Sequence, residues 1–130
     1  GIRLAVDAPR DLPPVKADPN QLRRALTNLL INALAYAPNS GPVTLRAEQR
    51  GRELVLSVSD HGPGIAPADL PHLFQKFYRG KQSAAERSRG SGLGLASVKS
   101  IADQHSGRVW CESAPGQGSI FFLALPIEAH

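Results

Sequence analysis

The strongest constraint on this chain is a change of hydrophobic period. Val43 to Gln49 reads as a strand, and from Glu53 to Asp60 apolar and polar residues alternate, with Arg50-Gly51-Arg52 between the two runs. Period-two alternation is the pattern of a half-buried strand, and two such runs across a tight turn make a hairpin. Leu54, Leu56 and Val58 share one face and Val55, Ser57 and Ser59 the other, so one face is expected to be buried more deeply. On either side the period becomes helical. Leu22, Leu26, Leu29, Leu30, Ala33 and Ala37 follow at helical spacing behind Asp18 as N-cap and Pro19 at the first position. Pro38-Asn39-Ser40-Gly41-Pro42 ends that helix. Leu95, Val98, Ile101 and Ala102 define a second amphipathic helix from Leu93 to His105, stopped by Ser106-Gly107, with Gly107 suited to the left-handed position.

The remaining elements are short. Residues 2–6 and 15–17 read as strands, and Ala66 to Leu73 as a short helix with Pro67 near its start. Residues 79–92 lack periodicity and read as a mobile loop; Arg108–Glu112 and Ser119–Leu125 are strands about the turn Pro115-Gly116-Gln117-Gly118. Strands come in pairs with helices between them. That order favours an α/β (α+β) two-layer sandwich, a mostly antiparallel sheet with helices on one face, over a doubly wound parallel sheet. At 130 residues, without repeats or low-complexity tracts, residues 1–130 are expected to be a single domain. The opening at Gly1-Ile2-Arg3-Leu4 suggests a domain from a larger protein, and neither a signal peptide nor a membrane-spanning run is visible. One cysteine, Cys111, excludes an internal disulfide and any multi-cysteine metal site.

Three groups of residues carry chemistry. Asn28 and Asn32 form an i, i+4 pair on the flank of the first helix, about 140° and 100° from its apolar centre, with Tyr36 one turn on. Asparagine is a poor mid-helix residue because its amide competes for backbone hydrogen bonds. The pair is either two surface amides or two neutral carbonyl oxygens facing a cleft, where Mg²⁺ takes hard oxygen ligands. Asp60-His61-Gly62-Pro63-Gly64 closes a strand. It is a turn, or a carboxylate aimed at a ligand amine beside glycines that let a flat ring approach. Gly90-Ser91-Gly92-Leu93-Gly94-Leu95 leads into the second helix, whose free N–H groups make an anion site. It is neither the dinucleotide fingerprint nor a P-loop.

Charge supports the third group. The chain has 15 Lys and Arg against 11 Asp and Glu, net +4. Lys76, Arg79, Lys81, Arg87 and Arg89 concentrate a third of the positive charge just before those glycines. A basic cluster of this kind also suits nucleic acid, but that role leaves Asp60 and the two asparagines without one.

In order, Asn28…Asn32, Asp60-x-Gly62-x-Gly64, Phe74-x-x-Phe77, Gly90-x-Gly92-x-Gly94 and Gly116-x-Gly118 resemble the ATP-binding catalytic domain of bacterial sensor histidine kinases, from Ile2 to Pro126. The resemblance implies the Bergerat sandwich, with a mixed, mostly antiparallel sheet of about five strands and three helices on one face. It implies ATP and Mg²⁺ as ligands. Asp60 would accept from the adenine amine; Asn32 would bind Mg²⁺, with Asn28 beside it on the phosphates; Tyr36 would pack near the adenosine. Gly62, Gly64 and Ile65 would line the base pocket. Residues 79–92 would be the ATP lid, anchored by Phe74 and Phe77. Arg79, Gly90, Gly92, Leu93, Gly94 and Leu95 would meet the nucleotide.

Two positions depart from the family's pattern. A basic residue is common three positions after the second asparagine, where this chain has Ala35. Relatives that hydrolyse ATP carry a Glu at the position of Asn28. An amide cannot act as a general base for water. The resemblance therefore implies phosphoryl transfer to a histidine of a separate dimerisation domain, with a related ATPase or a regulator-directed serine kinase as the alternative. His61, His72, His105 and His130 lack the phosphoacceptor's context. The expected partners are that domain and a downstream response regulator, with no nucleic acid. The full-length protein would be a homodimer, with this domain on the cytoplasmic side of a membrane-anchored kinase.

Overall fold

The computed structural model describes residues 4–7, 15–36, 43–62, 64–65, 67–68, 70–74, 94–113, 116 and 118–127. Its elements are β1 (Leu4–Asp7), α1 (Pro19–Tyr36), β2 (Val43–Arg50), β3 (Glu53–Asp60), a 3-10 turn (Leu70–His72), α2 (Gly94–Gln104), β4 (Arg108–Ser113) and β5 (Ser119–Pro126). Five strands form one sheet in the order β1-β2-β3-β5-β4. The pairs β2–β3, β3–β5 and β5–β4 are antiparallel, and β1 lies parallel to β2. This is the mixed, mostly antiparallel sheet that the pattern implies.

Three local expectations change. The strand expected at 15–17 does not pair with β1; Val15 forms an isolated bridge to Ile127, and β1 pairs with β2 across the α1 connection. A helical crossover joins parallel strands, which a short turn cannot. Second, the helix expected over Ala66–Leu73 is a 3-10 turn at Leu70–His72 among the described residues. Pro71 in its middle has no N–H to give to a fourth-residue carbonyl. Third, Ser106 adopts the left-handed conformation (φ 58°) expected of Gly107. The Gly107 N–H closes the helix end on the Ala102 carbonyl at 2.8 Å. Glycine is needed at 107 for closeness instead, since a Cβ there would sit 2.2 Å from the Ala124 carbonyl oxygen on β5.

The N-cap of α1 is as expected. Asp18 Oδ1 accepts from the Asn20 and Gln21 N–H groups at 2.9 and 3.3 Å. The core lies between the sheet and the helices. Ala25, Leu29 and Ala33 of α1 and Val98, Ile101 and Ala102 of α2 meet Leu54, Leu56, Val58, Phe121, Leu123 and Leu125. Phe74 packs edge-on to Phe121, with ring centroids 6.4 Å apart.

The other face of the sheet covers itself. Trp110 stacks on Phe122 at 4.7 Å over buried Val55 and Ala124. The Arg50 and Arg108 guanidinium groups lie over Phe122 and Trp110, and Arg108 also holds Glu53 through two bonds of 2.8 and 3.0 Å. No helix among the described residues is long and apolar enough to cross a membrane.

One imidazole joins the two helices at one end. His105, just past α2, accepts the Asp18 N–H at Nε2 (3.1 Å), and its Nδ1 lies 2.7 Å from the Ile101 carbonyl oxygen. A carbonyl only accepts, so Nδ1 carries the proton and the ring is neutral. The end of α2 therefore meets the start of α1. Residues 126 and 127, which pair with Glu53 and Val15, sit at the same pole. Asn32 in the second half of α1, Asp60 at the far end of β3 and Gly94 at the start of α2 consequently lie toward the opposite pole, with Asn28 at the middle of α1.

Candidate nucleotide site

Asp60 is the last residue of β3, a central strand, and is only 5% exposed. Its Oδ1 accepts the Gly62 N–H at 2.9 Å, and Ser119 is its partner on the neighbouring strand. Burial raises its pKa above the ordinary 3.8, and the Gly62 and Ser119 backbone groups pull it back in part. The other oxygen, Oδ2, is buried without a hydrogen-bond partner. Gly118 stands directly against this residue. It adopts φ 76°, and a Cβ there would lie 2.2 Å from the Asp60 carbonyl oxygen.

Asn28 and Asn32 are half-buried, and Ile31 between them is exposed, at 53%. The Asn32 Nδ2 is buried and unpartnered. Among the described residues, Asn32 Nδ2 and Asp60 Oδ2 are the two buried side-chain polar atoms without a partner. Both belong to residues that the sequence singles out. An unsatisfied buried polar group costs about 1–3 kcal/mol. Two at one pole are the mark of a site whose partner arrives from outside. One is an acceptor and the other a donor, so a ligand that offers a hydrogen-bond donor to Asp60 and an acceptor to Asn32 would satisfy both.

Gly62 is buried, and Gly64 has φ 81°. Ile65 is buried in the core cluster, and its N–H donates to Ser113 Oγ at 2.8 Å. Gly94 opens α2, whose first N–H groups have no partners within the helix, and Leu95 packs against the core. Tyr36 is the last residue of α1. The Tyr36 side chain, Phe77, Arg79, Gly90, Gly92, Leu93 and the segment 79–92 lie outside the described residues.

The sequence reading misses Ser113 and Ser119. Their parity could have found them, because they occupy the inward-facing positions that Cys111, Phe121 and Leu123 fill along the same strands. A polar residue in an apolar register has a reason to be there.

Cys111 lies one inward position back from Ser113. Burial, helped by the charges of Asp60 and Glu112, pushes its thiol up to about 12. The thiolate is the reactive form. Against an ordinary thiol of about 9, its thiolate fraction at pH 8 falls roughly 10³-fold. Iodoacetamide should therefore leave Cys111 unlabelled in the folded chain and label it readily in denaturant. Labelling at the rate of a free thiol would show that the site floor opens.

Comparison with known proteins agrees with this geometry. The sequence profile of the family described as "Histidine kinase-, DNA gyrase B-, and HSP90-like ATPase" matches residues 17–129. The sensor-like histidine kinase SenX3 of Mycobacterium tuberculosis is 44% identical over 131 residues, covering 99% of this chain and 32% of SenX3. The adaptive-response sensory kinase SasA of Synechococcus elongatus is 39% identical, covering 96% of this chain and 32% of SasA. The chain thus spans about a third of the length of the curated relatives it matches. Among solved structures, full-length ShkA in complex with AMPPNP superposes with a TM-score of 0.84 at 31% identity, covering all of this chain and 26% of ShkA. The mycobacterial sensor histidine kinase MprB superposes at 0.80 with 31% identity, covering 99% of this chain and 84% of that one. The ordered motifs, the sandwich and these likenesses converge: the chain belongs to the family of histidine kinase-, DNA gyrase B- and HSP90-like ATPases.

Proposed function

We propose that this chain is the ATP-binding catalytic domain of a sensor histidine kinase, residues 1–130 forming one domain with an ATP lid at 79–92. It binds Mg²⁺-ATP and delivers the γ-phosphate to a histidine on a separate dimerisation domain. The observation that carries this reading is the pair of unpartnered buried atoms, Asp60 Oδ2 and Asn32 Nδ2. Adenine offers its exocyclic amine to the carboxylate, and a phosphate oxygen accepts from the Asn32 amide. The similar ShkA structure is a complex with AMPPNP, which supports a nucleotide as the ligand here.

The asparagine pair suits magnesium. Among the described residues no three His, Cys, Asp or Glu side chains gather to hold a metal. Mg²⁺ needs no such cage, because it takes one or two protein oxygens and completes its shell from phosphate and water. Asn32 would supply the protein oxygen, with Asn28 beside it on the phosphates. The bound ion would neutralise charge on the transferring group. The remaining work is positioning, as in phosphoryl transfer generally. Gly62, Gly64 and Ile65 line the base pocket, with Tyr36 packed near the adenosine. The start of α2 at Gly94 and Leu95, with Leu93 before it and Arg79, Gly90 and Gly92 of the lid, meets the nucleotide, and Phe74 and Phe77 anchor that lid. In the intact protein the partners are the dimerisation domain and a response regulator. That protein is a homodimer anchored to a membrane, with this domain in the cytoplasm.

Calorimetry tests the ligand and the metal together. ATP should bind more tightly with Mg²⁺ than without it, and GTP, which carries a carbonyl in place of the amine, should bind poorly. Asn32→Ala should remove most of the magnesium dependence, and Asn28→Ala less of it. Unchanged Mg²⁺-ATP affinity in both variants would reduce the pair to a structural stripe.

A further inference from the structure

The inward face of β3, β5 and β4 is apolar along nearly its whole length, with Leu54, Leu56 and Val58, then Phe121, Leu123 and Leu125, then Val109 and Cys111. At one end it turns polar in a single cross-strand row. Asp60 pairs with Ser119, and Ser119 pairs with Ser113. This row forms the floor of the nucleotide site at the pole that holds Asn32 and Gly94.

Ser113 is the hub of the row. Its Oγ receives the Ile65 N–H at 2.8 Å, lies 2.8 Å from the Gly118 carbonyl oxygen, and is 3.0 Å from Ser119 Oγ. The protons can be assigned. A carbonyl can only accept, so the single Ser113 proton goes to Gly118. The Ile65 N–H can only donate, so it takes one Ser113 lone pair. Ser119 must then donate its hydroxyl to the other. The hydroxyl of Ser113 is saturated, and it ties the end of β4 to two segments. One is the Gly62–Ile65 loop, and the other is the Gly118-Ser119 entry to β5. The first supplies the Gly62 N–H that holds Asp60 Oδ1 at 2.9 Å, and the second carries Ser119, the residue paired with Asp60 across the strands.

We propose that Ser113 is a positioning residue for base selection. By fixing the two backbone segments beside Asp60, it holds the carboxylate so that Oδ2 stays open and aimed at the ligand's amine. This rests on the reading of Asp60 as the base-recognising carboxylate. Ser113 itself touches no ligand. Its removal would orphan the buried Ile65 N–H and free the Gly62–Ile65 loop from β4, so Asp60 would lose direction while the apolar core stayed as it is.

The test measures ATP and GTP binding by the chain with Ser113→Ala, with Ser113→Thr, and with Ser113→Ala in an Asp60→Asn background. Ser113→Ala should weaken ATP binding about three- to tenfold, the worth of one to two neutral hydrogen bonds. It should leave GTP binding within about twofold, so that the ATP preference shrinks. In the Asp60→Asn background the same substitution should change ATP binding less than about twofold, because the group it positions is gone. Ser113→Thr, which keeps the hydroxyl, should restore the ATP preference. Equal losses for ATP and GTP, or the same loss in both backgrounds, would overturn the proposal and leave Ser113 a purely structural residue. Strong ATP binding by the unsubstituted chain with no effect of Ser113→Ala would overturn it while leaving the nucleotide reading intact. Failure of the unsubstituted chain to bind ATP would overturn both.

Discussion

Asp60→Asn should weaken ATP binding roughly 10–150-fold, the equivalent of ~1.5–3 kcal/mol for a hydrogen bond to a charged group. It should do so without loosening the unliganded fold. Oδ1 carries the contacts within the protein, and Oδ2 has none. Asparagine keeps an oxygen for the Gly62 N–H and exchanges the unpartnered oxygen for an amide nitrogen, which meets the adenine amine donor to donor. The buried carboxylate is also a burden on the empty protein. Its folded pKa is raised above 3.8, so the folded state favours the protonated form. Its contribution to stability is fully present below 3.8 and is lost as pH rises through the raised folded value. The neutral asparagine avoids that loss at pH 7. The expected signature is a thermal midpoint equal to or above that of the unsubstituted chain, with ATP affinity collapsed. A large fall in the midpoint would make Asp60 a structural residue. ATP affinity should also fall on acidification at a higher pH than an ordinary aspartate would dictate, because the protonated acid is a poorer acceptor.

The second large effect concerns what the isolated chain does with bound ATP. Incubated with γ-labelled ATP and Mg²⁺, it should take up no acid-labile phosphate and release little phosphate. His105 has no nitrogen to offer, since Nδ1 carries a proton held against Ile101 and Nε2 accepts from Asp18. His61 and His72 are exposed, but neither stands in the setting of a phosphoacceptor helix. By the family resemblance, Asn28 stands where relatives that hydrolyse ATP would carry a water-activating Glu. Supplying a dimerisation domain should restore transfer to its histidine. The tethered form should be faster, because a short linker raises the acceptor's effective concentration to about mM. Stoichiometric labelling of His61, His72, His105 or His130 would refute this division of labour. Rapid phosphate release would favour the ATPase alternative.

The elements with strong periodicity are legible in the sequence. α1 begins at the Pro19 chosen by its cap, and β3 ends at Asp60 as the alternation requires. Two short elements, at 15–17 and 66–73, are not. Residues 15–17 have strand-like composition, but their single bridge runs to Ile127, more than a hundred positions away. Ser106, not Gly107, takes the left-handed turn, while glycine at 107 is claimed by the approach of the Ala124 carbonyl oxygen. That claim comes from a neighbouring strand and leaves no trace in the local sequence.

The site divides along the same line. Residue order is enough to mark the exceptional groups: two amides in a helix, a strand-ending carboxylate, glycines before a second helix. Each is a local cost, and local costs can be read along a chain. It takes the packed fold to leave Asn32 and Asp60 each with one buried polar atom unpartnered at the same pole, and to set Ser113 and Ser119 in the row beneath. Satisfaction of a buried polar group depends on what other segments bring to it, across β3, β5 and β4 in this fold. Residue type and spacing carry the chemistry that a group can perform; burial and partners, which arise from contacts distant in sequence, decide which of those groups is left waiting for a ligand.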